Sequence, residues 1–139
     1  VSSQIRSQLS DEKKIRLYTT YHSSSYENPN LSNTLFGDLM FTYMSDYYPR
    51  KIDNSLLIEK FVDRFGIPPN KTAIRAFDLV FDLILRIVTQ EDLYSSSQIG
   101  ETEYINNKFN YVQVIDRAYS NQAYYLLQHQ LYDVLEINK

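Results

Sequence analysis

A chain of 139 residues that is 43% hydrophobic and carries no Cys, no Trp, only 3 Gly and a formal charge of -3 suits one soluble globular domain. Without Cys it has no disulfide framework, no thiolate zinc site and no cysteine nucleophile. Residues 1–70 carry 8 Lys+Arg against 8 Asp+Glu and residues 71–139 carry 6 against 9, so neither half has the basic excess that phosphate neutralisation needs and no nucleic-acid partner is expected.

Val1-Ser2-Ser3-Gln4-Ile5 has no initiator Met, no basic n-region and no apolar h-region, so this segment is not expected to act as a signal peptide, and the sequence reads like the middle of a longer gene product. Val1, Ile5 and Leu9 recur at four-residue spacing and predict a short helix ending near Ser10-Asp11. Ile15 to Tyr21 is β-branched and aromatic and alternates, which predicts a strand. Ser23-Ser24-Ser25 and Glu27-Asn28-Pro29-Asn30 are turn formers and predict a loop. Leu39 to Met44, rich in Phe, Tyr and Thr and bounded by Asp46 and Pro49, predicts a second, buried strand.

The middle of the chain is helical by period. Asp53 or Asn54 can cap a helix whose apolar positions Leu57, Ile58, Phe61, Val62 and Phe65 follow 3.6-residue spacing, and Gly66 with Pro68-Pro69 stops it. From Thr72 to Gln90 a second helix carries Ile74, Phe77, Phe81, Leu85 and Val88 on one stripe, with Leu79, Val80, Leu83, Ile84 and Ile87 over most of the rest. Only a seam of Arg75, Asp78, Asp82 and Arg86 is polar, with Asp82 and Arg86 spaced to pair across one turn. The run from Leu79 to Val88 is far shorter than the roughly 20 residues that span a bilayer, so no transmembrane segment is expected. A helix so apolar needs burial on nearly every side, by a large sheet, a second lobe or another chain. Glu91 to Glu103 is polar and turn-rich, and Tyr104 to Asn110 carries no assignable pattern. Tyr111 to Ile115, Ala123 to Leu127 and Leu131 to Ile137 read as strands, with a hairpin turn at His129-Gln130.

The inventory for catalysis is thin. His22 and His129 lack the short spacing of a metal pair and read as loop or strand-end residues, so no metal is expected. Gly37, Gly66 and Gly100 are isolated, so no glycine-rich phosphate loop exists and no cofactor is expected. Asp78 and Asp82 share a helix face as an acid/base pair would, but Arg75 and Arg86 flank them, which favours a structural ion-pair seam over an enzyme. The 13 tyrosines read as core-edge residues before they read as a ligand cleft, and the sequons at Asn30 and Asn70 carry little weight.

The run from Leu56 to Asp78, with Phe61, Phe65-Gly66, Pro69, Ala73 and Ala76-Phe77-Asp78, resembles the F-x-x-x-[YF]-G-x-x-P-x-x-x-A-x-x-[GA]-[FY]-D stretch of type I periplasmic binding proteins. The resemblance is nearest to a branch in which such a module follows LysM peptidoglycan-binding repeats, which also shows a strand like Ile15 to Thr20, a connection like Glu101 to Ile105, and a Y-x-N-x-A-x-Y run like Tyr119 to Tyr125. It implies the C-terminal portion of a two-lobed α/β fold: residues 1–40 in the second lobe, 41–105 contributing helices to the first, and 106–139 returning as terminal strands with a C-terminal β-hairpin. It further implies a non-catalytic, amino-acid-receptor-like module of the periplasm or cell envelope, with an amino acid or peptidoglycan fragment as ligand. The alternative is a structural or protein-interaction module that kept the fold and lost the site. Candidate lining residues are Thr19, Thr20 and Tyr43 at strand ends, where ligands of open α/β sheets sit, with Arg75 and Asp78 on the apolar helix. Self-association or a missing lobe is expected to cover the helix over residues 72–90.

Overall fold

Half-buried Ile15, Leu17 and Thr19 alternate with exposed Arg16, Tyr18 and Thr20 in the computed structural model, which describes residues 4, 5, 7–10, 14–23, 26, 33–48, 50, 56–90, 92, 94–116 and 118–137. Only β1 (Tyr18–Thr19) of the expected strand is regular. The Thr19 hydroxyl explains where it stops: it accepts from the Tyr21 N–H at 3.3 Å and donates to the Tyr21 carbonyl at 3.1 Å, a local bond that competes with the ladder. At the start of the chain Gln4 and Ile5 are helical and residues 7 and 8 form a turn; the expected end of that helix at Asp11, and most of the expected loop from Ser24 to Asn30, lie outside the described residues.

Two compact units divide the chain: Val1–Ser45 together with Tyr125–Lys139, and Asp46–Tyr124. The first holds a mixed four-stranded sheet in the order β1, β2 (Thr42–Ser45), β7 (Tyr125–Gln130), β8 (Asp133–Glu136), with β1 and β2 parallel and the other pairs antiparallel. A six-residue helix, α1 (Asn33–Asp38), joins the parallel pair and lies against β7; it is too short for a periodic signature and was not expected. It ends where the Phe41 N–H reaches the Phe36 carbonyl at 2.9 Å and the Met40 N–H reaches Gly37 at 3.0 Å, with Met40 at a φ of 44°. That is a Schellman closure with methionine in the left-handed position glycine usually takes. Leu35, Phe36, Leu39, Phe41, Tyr43, Tyr125 and Leu127 form an apolar core, and Phe36 stacks on Phe41 with centroids 5.0 Å apart.

The C-terminal hairpin is present, but its turn is Leu131-Tyr132 and not His129-Gln130: Gln130 pairs with Asp133, and Leu131 takes a φ of 55°. Leu131 hides the signal because a two-residue hairpin loop ordinarily advertises itself with Gly or Asn. The strand expected over Ala123–Leu127 runs instead from Tyr125 to Gln130, so His129 sits within β7.

The second unit carries α2 (Leu56–Phe65), α3 (Lys71–Gln90), a 3-10 turn over Ser95–Ile99, and two antiparallel hairpins, β3 (Thr102–Glu103) with β4 (Lys108–Phe109) and β5 (Tyr111–Ile115) with β6 (Ala118–Asn121). Both long helices fall where the period predicts. Gly66, at a φ of 73°, closes α2 by donating to the Val62 carbonyl at 2.7 Å, and Pro68 and Pro69 prevent its continuation. The expected cap at Asp53 or Asn54 lies outside the described residues. Asn70 caps α3, its side-chain oxygen accepting from the Ala73 N–H at 2.9 Å. Strand β6 was not expected. It is joined to β4 and β5 through Asn121, whose amide accepts from the Asn110 and Ala123 N–H groups at 2.8 and 3.1 Å and donates to the Lys108 carbonyl at 3.0 Å.

Candidate functional site

The face of α3 that is buried is the wrong one for an ordinary amphipathic helix. Its buried positions are Ile74, Asp78, Asp82 and Arg86, a strict four-residue stripe carrying three charges. Around it, Phe77, Leu79, Val80, Phe81, Ile84, Leu85, Ile87 and Val88 are between 39% and 76% exposed. At 100° per residue these eight cover about two-thirds of the helix circumference. Three spacings of four place the stripe toward the hairpins, and apart from half-buried Ala73 and Leu83 the other positions are exposed.

The charged stripe is fully engaged by its own unit. Asp78 accepts from the backbone N–H groups of Ile105 and Asn106 at 3.3 and 3.0 Å and from the Asn107 amide at 2.8 Å. One Asp82 oxygen accepts from the Thr102 hydroxyl at 2.7 Å and the Tyr104 hydroxyl at 2.9 Å, and the other takes the Arg86 Nε–H at 2.8 Å. The remaining Arg86 donors reach the carbonyls of Ser96, Gly100 and Phe109 at 2.9, 3.1 and 3.3 Å and the Thr102 hydroxyl at 2.9 Å. Its guanidinium lies 4.9 Å from the centre of the Tyr111 ring. Burial, and then the Asp82 carboxylate, hold the Tyr104 hydroxyl above the usual phenol range and push Tyr111 up to about 12. In chemical terms the cluster clamps the β3–β4 hairpin and the 3-10 turn onto α3. Asp82 and Arg86 pair as the spacing predicts. Arg75 does not join them: it is exposed, a step of 100° off the stripe, and reaches Asp46 at 2.6 Å.

Of the strand-end residues, Thr19 and Tyr43 come together as register partners on parallel β1 and β2, while Thr20 is exposed. Tyr43 is buried and its ring centre lies 4.3 Å from that of His22, tilted by 30°; His129 lies 5.8 Å from the same ring on its own strand β7. Two histidines separated by more than a hundred residues thus meet around one tyrosine, an approach that sequence spacing does not reveal. Burial, then the neighbouring His22, hold His129 below the ordinary imidazole range. Among the described residues no group of three or more His, Cys, Asp or Glu is placed to hold a metal, and no helix is long and apolar enough to cross a membrane.

The residues that sequence reasoning missed are the partners: Thr102, Tyr104, Ile105, Asn106 and Asn107. A usable signal was there, because two carboxylates on a helix bound for burial need several donors, and Tyr104-Ile105-Asn106-Asn107 is the donor-rich segment within reach. The chain matches no protein-family model, no curated protein and no solved structure.

Proposed function

We propose that this chain is a non-catalytic protein-interaction module whose contact surface is the apolar face of α3. One observation carries the reading: the charges of α3 are satisfied within the unit, while a wide arc of large apolar side chains, with only Leu83 half-buried among them, faces water. Those eight side chains leave on the order of 800 Å² open, above the 300–600 Å² of the largest patch on an ordinary monomer. The test is Ile84→Lys at submicromolar protein. If the face is a contact surface, the isolated chain keeps its unfolding free energy within about 1 kcal/mol. A loss of several kcal/mol at every concentration makes the face part of the internal core and ends the proposal.

A second reading is the amino-acid-receptor-like envelope module, the C-terminal portion of a two-lobed type I periplasmic binding protein. What supports it is the resemblance over Leu56 to Asp78 and the meeting of Thr19 with Tyr43 at neighbouring strands. A thermal-shift screen against free amino acids and peptidoglycan fragments separates the two. Saturable stabilisation by one of them favours the receptor, and none at millimolar ligand favours the interaction module.

A further inference from the structure

We draw no further inference here: the strongest candidate, the exposed apolar arc of α3 from Phe77 to Val88, belongs to the contact surface already described, and nothing among the described residues shows what covers it.

Discussion

Replacing Arg86 by Met keeps an unbranched apolar stem and removes the charged fork at its end. The loss is legible atom by atom: the Asp82 carboxylate, fully buried, is left without its ion-pair partner, and the carbonyls of Ser96, Gly100 and Phe109 lose a donor. Removing one partner of a buried pair costs about 3–5 kcal/mol. Each carbonyl that loses its Arg86 donor adds up to about 1–3 kcal/mol before relaxation or water entry offsets it, less at Phe109, which keeps the Thr102 hydroxyl at 3.2 Å. A unit of this length is stable by about 4–12 kcal/mol, so Arg86→Met should unfold most of Asp46–Tyr124 at room temperature. Urea titration with hydrogen exchange is the assay, because it separates amides of α3 and β3–β4 from those of the β2–β7–β8 sheet. Adding Asp82→Asn to Arg86→Met removes the stranded charge and should recover part of the loss, a coupling of about 1–3 kcal/mol. Arg86→Met within about 1 kcal/mol of wild type would refute the claim that the charged stripe holds this unit together.

Three further outcomes follow from the sheet unit. A Cβ added at Gly37 would sit 2.6 Å from the Leu131 carbonyl oxygen, a backbone atom that cannot step aside, so Gly37→Ala should lower stability by about 1–3 kcal/mol in thermal unfolding. Met40→Gly relieves a left-handed residue and should leave stability unchanged or raise it by up to about 1 kcal/mol. The folded state holds His129 below its unfolded pKa, so it binds fewer protons and stability must fall as pH drops below the unfolded value of about 6.5. His129→Gln should flatten that dependence in urea midpoints measured between pH 7 and pH 5.

The mixed α/β character, both long helices, β5 and the Asp82–Arg86 pair were all readable in the residues, because each rests on local periodicity or spacing. What escaped has a physical reason in each case. α1 is too short to show a period, and its left-handed end is held by Met40 where a Gly would have announced it. Leu131 conceals the hairpin turn in the same way. The clamp on α3 was half legible: the two aspartates and the arginine stand out at helical spacing, but their hydroxyl and amide partners lie 16 to 29 residues away, and no local pattern encodes that pairing. The apolar excess of α3 was evident from sequence; that only its charged stripe is buried was not.

The central claim concerns which face of α3 meets water. Ile84→Cys gives the chain a single thiol in the middle of the apolar arc, at a position that is 52% exposed. At submicromolar protein its reaction with Ellman's reagent should run within about tenfold of the rate in denaturing urea, since no opening of the fold is needed to reach it. Protection by a factor of a thousand or more would show that the face is closed within the chain itself and would contradict the account.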